Sequence, residues 1–580
     1  MRLFLALLGM TGLGSPLIAG EAPTLLPGRQ VPDIAFTDLG GKPHRLANAS
    51  RYAGMAIALS SSTCPVSKRQ MPSLAKLEQE LSNRGIALLV LNPMKTETDD
   101  EIRAQVAAAG VRSTVCHDAT QVVARALQAR TTTEVFLLAP DRTLVYRGAL
   151  DDQYGPTFSR EAPTVSHLLE AADALKAGRK PRRPLTEAPG CELDLGPRPD
   201  AVPTSLTYHR DIARILQQHC VDCHRPEGIA PFRLDTVAAV TERAKTIRRV
   251  VTEGQMPPWF AAPPTGGKPS PWANDCALPA SDRRDLLAWL DSADRPLGDP
   301  ADAPKPRTYP GAWSIGPPDA VLPISRPHAI KADGFMRYEH DTIETSFPED
   351  RWVQAYEILP TARGVVHHVI VRCIPKGKKV SFGGAEDYWA AYVPGNGSHV
   401  YPTGFARKLP AGATLTFQIH YTPNGQATTD QLKIGLRFAK SPPRHEMRTV
   451  GLANLRLDIP PGAARHVETL VRPVPVDLPV TALMAHMHVR GAAFRFELLG
   501  ADGSVETLLD LPRYDFNWQL RHDYAEPRVL PQGSRVRITA VFDNSAANPA
   551  NPDPTRRVRW GEQTTDEMMI GYVEYYVPVR

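Results

Sequence analysis

The chain has 580 residues, enough for about four domains of ordinary size. Its 67 lysine and arginine residues nearly balance 62 aspartate and glutamate residues, which leaves a formal net charge of +5. Because this balance provides no broad basic surface, composition gives no reason to expect a nucleic-acid partner. The 56 proline residues, about double the usual share, indicate long turns and rigid linkers.

Residues 1–20 have the pattern of a secretory signal peptide. One arginine precedes an apolar run over residues 3–13, and the small residues Ala19 and Gly20 follow. Later in the sequence no apolar stretch approaches the roughly 18 residues that a membrane-spanning helix needs. We therefore predict an exported protein, periplasmic or secreted, without a transmembrane segment.

Residues 27–178 alternate short apolar runs with amphipathic segments, which is typical of an α/β fold. The pattern predicts strands over residues 56–59, 86–91 and 134–138 and helices over residues 71–81 and 101–108. Cys64 opens a helix, and the amide dipoles at a helix N-terminus stabilise a thiolate. The sequences Pro32-Asp33-Ile34, Ser62-Thr63-Cys64-Pro65-Val66-Ser67 and Thr131-Thr132-Thr133-Glu134-Val135-Phe136 resemble those of thioredoxin-like redoxin domains.

This resemblance has three departures. Ser67 stands where a thioredoxin has its second cysteine, Thr133 where it usually has a cis-proline, and Ile57 where peroxiredoxins have a proline. Dithiol exchange within one short motif is therefore excluded. Two readings stay open: a redox thiol at Cys64, with Cys116 or Cys191 as its resolving partner, or a structural or interaction domain that has lost its chemistry.

A proline- and charge-rich linker over residues 179–203 leads to the sequence Cys220-Val221-Asp222-Cys223-His224. Its two thiols suit covalent attachment of haem, and the adjacent histidine suits an axial iron ligand. The alternatives are a structural disulfide or a zinc knuckle. Residues 204–297 resemble a small all-α cytochrome c domain, with Met256 as the distal ligand and a closing helix over residues 285–293.

After a second linker, over residues 298–312, alternating apolar and polar residues predict an all-β region. Strands are expected over residues 352–358, 365–371, 414–421, 493–499 and 535–542. Two histidine groups lie in this region. The first consists of His367, His368 and His420, and the second of His486 and His488, followed by Met568.

The spacing of these residues points to metal binding. Side chains two apart in a strand share a face, so His486 and His488 point together. A thioether beside imidazoles favours copper. Adjacent residues face opposite ways, so His367 and His368 share a metal only where the strand ends, bulges or twists. Three histidines also suit a catalytic zinc, which remains the competing interpretation of the first group.

The order of these motifs resembles the copper type II ascorbate-dependent monooxygenases, the family of peptidylglycine hydroxylating and dopamine β-monooxygenases. The resemblance implies two jelly-roll domains, over residues 313–442 and 443–580. Each domain would bind one copper, and a solvent-filled gap would separate the two copper sites. It assigns the first copper to His367, His368 and His420 and the second to His486, His488 and Met568. Tyr572 matches the substrate-binding tyrosine.

The resemblance implies hydroxylation of a C–H bond of a small organic substrate by O2, with electrons from ascorbate or a redox protein. We expect two copper ions and one haem c. The haem, bound through His224, would supply electrons to the first copper. Met484 and Ile570 occupy positions where peptide-amidating relatives have an arginine and an asparagine that bind the peptide carboxylate. A less charged substrate is therefore expected.

Two other functions remain open. A non-catalytic electron-transfer or copper-handling protein would have the same ligands, and a thiol peroxidase or thiol-based redox protein would depend on Cys64.

Overall fold

The structure is a computed structural model that describes residues 25–155, 158–196, 204–264, 266, 268–309, 311–379 and 388–579. The predicted signal peptide lies outside the described residues. Within these ranges, no helix is both long enough and apolar enough to span a bilayer.

The N-terminal unit is an α/β fold around a five-stranded mixed sheet. Its elements are β1 (Ala35–Thr37), β2 (Pro43–Arg45), β3 (Gly54–Leu59), α1 (Pro65–Ser82), β4 (Ile86–Asn92), α2 (Asp99–Ala109), β5 (Thr114–His117), α3 (Val122–Ala126), β6 (Val135–Leu138), β7 (Leu144–Gly148) and α4 (His167–Lys176). The sheet order is β5-β4-β3-β6-β7, with β3, β4 and β5 parallel and β6 and β7 antiparallel.

Alternation along the buried strand β3 gives this sheet a core on each side. Ile57 and Leu59 pack into one apolar cluster, and Ala56 and Ala58 pack into the other. Helix α1 begins at Pro65 rather than at residue 71, because proline is favoured in the first turn directly after Cys64. The α/β prediction for this unit is confirmed.

Part of the predicted linker over residues 179–203 is hydrogen-bonded to the N-terminal unit. The amide of Arg147 donates to the carbonyl of Pro184 (3.1 Å), and Thr131 forms an antiparallel bridge with Glu192. Residues 184–193 therefore lie along the N-terminal unit. Proline and charge predicted a linker here but gave no sign of what this segment pairs with.

The next unit is helical in its described parts. It consists of a π-helical turn (Tyr208–Ile212), α5 (Ala213–His219), α6 (Val237–Glu242), α7 (Ala244–Thr252) and α8 (Ala280–Asp291). Its core is centred on the buried Trp289. Helix α8 corresponds to the predicted closing helix, while the cytochrome c fold of this unit stays a prediction.

The remainder of the chain is rich in β-strands. These are β8 (Ala320–Pro323), β9 (His328–Ile330), β10 (Glu339–Glu344), β11 (Arg351–Leu359), β12 (Val366–Ile374), β13 (Ala390–Tyr392), β14 (Ser398–Val400), β15 (Phe405–Leu409), β16 (Thr414–Tyr421), β17 (Thr428–Asp430), β18 (Lys433–Phe438), β19 (His445–Ala453), β20 (Asp458–Ile459), β21 (His466–Pro473), β22 (Leu478–His486), β23 (Gly491–Leu499), β24 (Val505–Leu511), β25 (Arg521–Leu530), β26 (Arg535–Phe542), β27 (Val558–Arg559) and β28 (Ile570–Pro578).

Two apolar cores divide this β region close to the predicted boundary between residues 442 and 443. One core draws on residues 324–447, and the other on residues 457–573 together with Trp272. One large sheet nevertheless continues through both, in the order β25-β22-β28-β19-β15-β11-β18-β8. The junction is the parallel pair β15 and β19, in which Phe405 lies opposite His445. The two β units are therefore hydrogen-bonded to each other through their backbones.

Candidate metal centre and thiol site

The first histidine group lies on two neighbouring antiparallel strands. His368 in β12 lies opposite His420 in β16, and the register between these strands shifts between Val366 and His368. His367 is therefore the bulged residue, which lets it turn to the same side as its neighbour. The Nδ1 atoms of His367 and His368 are 3.1 Å apart.

The donor atoms of this group suit one shared ion. One ring nitrogen from each of His367, His368 and His420 lies within 4.8 Å of the others. Metal–nitrogen bonds of about 2.0–2.1 Å place two ligands of one ion roughly 3 Å apart, as these Nδ1 atoms are. Within the described part of the chain, Nδ1 of His420 is buried without a hydrogen-bond partner. Buried ring nitrogens without partners are expected of unfilled metal ligands.

The second group lies at the end of β22. The rings of His486 and His488 have centroids 5.2 Å apart and are perpendicular. Nδ1 of His486 is 2.5 Å from Oε1 of Gln519, and Nδ1 of His488 is 3.3 Å from the carbonyl oxygen of Asp566. If both Nδ1 atoms donate, each Nε2 keeps a free lone pair for a metal. Nε2 of His488 is buried, and the described residues offer it no hydrogen-bond partner.

The segment that carries Met568 is fixed to this second group. The carboxylate of Glu567 accepts hydrogen bonds from the amides of His488 (2.8 Å) and Arg490 (2.7 Å). Met568 follows directly and packs in a buried apolar cluster whose members are Ile370, Tyr388, Met484, Met568, Ile570 and Tyr572. Tyr572 packs its ring against Tyr388, with centroids 5.0 Å apart. The predicted substrate tyrosine and the predicted thioether ligand therefore share one apolar face.

The two histidine groups meet, and this corrects the expected solvent-filled gap. The rings of His368 and His486 have centroids 6.1 Å apart. The Tyr338 ring lies 4.7 Å from that of His420 and 6.4 Å from that of His488, between the two groups. The physical reason is the continuous sheet through β15 and β19, which holds the two β units together. The five histidines therefore form one contiguous cluster.

Burial keeps this cluster uncharged. It lowers the pKa of His367 and of His486 to about 4. Burial also lowers the pKa values of His368, His420 and His488 well below the ordinary value, and neighbouring imidazoles add to the effect. At neutral pH all five imidazoles are neutral, which is the state that binds metals.

The haem-attachment sequence follows directly on α5. Cys220 and Cys223 lie on either side of the turn, and Nδ1 of His224 is 2.9 Å from the carbonyl oxygen of Phe232. A hydrogen bond from Nδ1 fixes the ring and leaves Nε2 as the ligand atom, as an axial haem ligand requires. Met256 lies half-buried in the loop after α7, where its amide donates to Val250 (3.2 Å).

Cys64 caps the N-terminus of α1 and is fully buried. Its thiol is hydrogen-bonded to that of Cys191, which lies in the segment predicted as a linker. Burial acts to raise the pKa of Cys64, but hydrogen bonds from Cys191 and Thr132 lower it to about 6. The other thiol considered, Cys116 in β5, has its pKa raised by burial to about 12. The structure therefore pairs Cys64 with Cys191 and not with Cys116.

Several contacts of the site have no sequence signal. Tyr338, Phe516 and Gln519 stand outside every recognised motif, yet Phe516 stacks on His367 at 4.5 Å between ring centroids. Glu567 directly precedes the predicted ligand Met568, but nothing in the sequence indicates that its carboxylate binds two amides of the facing loop.

Comparison with known proteins bears on the N-terminal unit. Residues 27–147 match the AhpC/TSA family, and no curated protein matches the chain. A redoxin domain is therefore present in this part of the chain. The haem-attachment sequence and the histidine cluster lie outside the match.

Solved structures align with a minor part of this chain. A hypothetical protein, SMc02350, from Sinorhizobium meliloti 1021 has 28% identity, covers 29% of this chain and 94% of its own, and gives a TM-score of 0.27. An uncharacterized conserved protein from Geobacillus kaustophilus has 26% identity over 33% of this chain and 100% of its own, with a TM-score of 0.28. Peroxidoxin BcpB from Mycobacterium tuberculosis has 15% identity over 27% of this chain and 99% of its own, with a TM-score of 0.22.

Proposed function

We propose that the protein is an exported copper-dependent monooxygenase that hydroxylates a C–H bond of a weakly charged organic substrate. The observation that supports this proposal is the convergence of five neutral histidines from two β units beside an apolar face. His367, His368 and His420 would hold one copper, and His486, His488 and Met568 a second. When bound, the copper ions would supply redox chemistry toward O2, and a haem attached at Cys220 and Cys223 would supply electrons.

The residues of the chain would orient and shelter this chemistry. Gln519 and the carbonyl of Asp566 fix the rings of His486 and His488. The carboxylate of Glu567, the residue before Met568, accepts a hydrogen bond from the His488 amide and so ties the segment that carries Met568 to this group. The burial of all these groups excludes bulk water, which strengthens the interactions of a bound substrate with polar groups.

The apolar face around Met568 supports a substrate with little charge. Met484, Ile570 and Tyr572 are all buried there, and they pack against Tyr388. None of the three carries a cation that could pair with a carboxylate, and an unpaired buried carboxylate costs several kcal/mol. We therefore propose an uncharged or weakly polar compound rather than a peptide with a free C-terminal glycine.

Metal analysis followed by oxygen uptake tests this proposal. The purified protein should hold two copper ions and one haem, and adding a suitable organic compound should accelerate oxygen uptake by the reduced protein. His488→Ala should lower the copper content and abolish the acceleration. His466→Ala is the matched control, because His466 lies in β21 and pairs with Glu468 (2.8 Å) outside the cluster. Zinc in the purified protein, or copper without substrate-dependent uptake, would contradict a monooxygenase.

A second function, a thiol-based redox activity of Cys64, is supported by a separate observation. The AhpC/TSA match covers this residue, and its thiol contacts a second thiol. A Cys64→Ser variant should lose reduction of peroxides or disulfides, whereas His486→Ala should leave that activity intact. The two proposed functions belong to different parts of the chain and can both hold.

A further inference from the structure

A short arm of the chain lies across the Cys64 thiol. We define the arm as residues 188–193. It pairs with the loop over residues 130–133: the Thr132 amide donates to the Cys191 carbonyl (2.9 Å), and the Cys191 amide donates to Thr132 Oγ1 (3.2 Å). The amide of Leu193 also donates to the carbonyl of Arg130 (2.7 Å). These bonds fix the backbone of Cys191 so that its thiol meets that of Cys64.

The helical unit holds the other edge of the arm. The Glu192 amide donates to Oγ1 of Thr246 in α7 (2.8 Å), and Arg249 Nε lies 3.4 Å from the Glu192 carboxylate. Arg243, which is buried, donates to the hydroxyl of Thr63 (2.5 Å), the residue before Cys64. The thiol pair is therefore enclosed between the N-terminal unit and the helical unit. Contacts from both units, and not the arm alone, hold the two thiols next to each other.

The two thiols have complementary properties. Hydrogen bonds lower the pKa of Cys64 to about 6 against the effect of burial, which favours the thiolate form of this residue. The pKa of Cys191 is raised well above the ordinary value, first by its hydrogen bond to Cys64 and then by burial. A thiolate that accepts a hydrogen bond from a neighbouring thiol is the arrangement of a nucleophilic cysteine and its resolving partner.

We propose that Cys64 and Cys191 form a thiol–disulfide exchange site whose substrate is a disulfide, with the arm supplying the second cysteine that Ser67 fails to provide. This inference deepens the proposed thiol function and is independent of the metal centre. The Cys64 thiolate attacks one sulfur of the substrate disulfide, whose S–S bond breaks and releases one thiolate. Cys191 then gives its proton to the released thiolate and attacks the Cys64 sulfur; the mixed disulfide between Cys64 and the substrate breaks, the Cys64–Cys191 disulfide forms, and the second substrate thiolate is released. Two electrons pass from the cysteine pair to the substrate.

Glutathione disulfide serves as the test substrate for the full chain. After equilibration in glutathione buffers, quenching with acid and alkylation under denaturing conditions, peptide mass spectrometry identifies each cysteine state. We expect one two-electron transition in which a Cys64-containing peptide becomes linked to a Cys191-containing peptide. In Cys191→Ala, we expect Cys64 to accumulate as a mixed disulfide with glutathione. Cys116→Ser is the matched control and should keep the linkage.

The outcomes separate this inference from the proposed thiol function. If Cys64 forms the mixed disulfide in Cys191→Ala but the unsubstituted chain forms no Cys64–Cys191 linkage, the arm has no role in exchange and the inference is refuted. If Cys64 forms no adduct in either protein, both the inference and the thiol function are refuted. A Cys64-containing peptide linked to a Cys116-containing peptide in the unsubstituted chain would assign the partner to Cys116 and likewise refute the inference.

Discussion

A buried ion cluster where the two β units meet provides a quantitative test of the fold. Glu574 in β28 binds Arg521 through two hydrogen bonds (2.9 and 2.7 Å) and Arg407, from the other β unit, through one (3.0 Å). All three side chains are buried. Burial acts to raise the pKa of Glu574, but Arg521 and Arg407 lower it to about 2. We therefore expect Glu574→Gln to destabilise the β region.

The magnitude follows from the two pKa values. The ordinary pKa of the Glu574 carboxyl is 4.5 and the folded value is about 2. At about 1.4 kcal/mol for each pKa unit, ionisation of Glu574 contributes on the order of 3 kcal/mol to the free energy of unfolding at pH 7. The cost expected when one partner of a buried ion pair is removed, about 3–5 kcal/mol, is similar.

The sign of the pH dependence follows from the lowered pKa. The contribution is fully present above pH 4.5 and is lost as the pH falls through about 2, because the folded protein then also protonates Glu574. At pH 3 less than half of this contribution, on the order of 1 kcal/mol, should remain. Urea unfolding of the wild type and the Gln variant, compared from pH 7 to pH 3, measures this difference. Glu506→Gln is the control, because its ion pair with Arg528 is half-exposed and should be worth less than about 1 kcal/mol. A pH-independent difference, or equal losses in both variants, would refute the reasoning.

Three further predictions concern separate parts of the chain. Gln519→Leu removes the hydrogen-bond partner of His486 Nδ1 and should weaken copper binding about 10- to 100-fold in a competition titration. Unchanged affinity would show that this contact does not orient the ring. Cys220→Ser should lose covalently bound haem and the turnover supported by a protein electron donor, and full turnover without haem would rule out the electron relay. Thr98→Ala removes the capping box of α2 and should lower the free energy of unfolding of the N-terminal unit by about 1 kcal/mol. An unchanged unfolding transition would contradict a stabilising role for this cap.

Local rules predicted the parts of the site that depend on neighbouring residues. The period-two alternation of a strand demanded a bulge if His367 and His368 were to share a face, and the register of β12 shifts there. The same rule placed His486 and His488 together, and their rings are in contact. Cys64 lies at a helix N-terminus as its sequence predicts. Each of these features is decided within a few residues of the chain.

Contacts between distant segments could not be predicted in this way. The meeting of the two histidine groups depends on the pairing of β15 with β19 and on the bond between Arg407 and Glu574, which are 167 residues apart. The position of Cys191 depends on a loop about sixty residues earlier in the chain, whose amides carry no sequence signal for a partner strand. The proline and charge content of the segment that carries Cys191 predicts only its local conformation. The loop with which the segment pairs lies in another part of the chain.

The helical unit touches both β units beside the histidine groups, which bears on the proposed electron relay. Arg363, at the turn before β12, donates to the carbonyl of Glu227 close to the haem-attachment sequence (3.2 Å). Trp259 packs on His522 with ring centroids 4.7 Å apart, and His522 lies opposite Leu483 in β22, the strand that ends at His486. The unit that would hold a haem at His224 therefore contacts both β units near the histidine groups. Because the two groups are themselves in ring contact, the proposed relay needs no long transfer between them, in contrast to the separated sites that the resemblance implied.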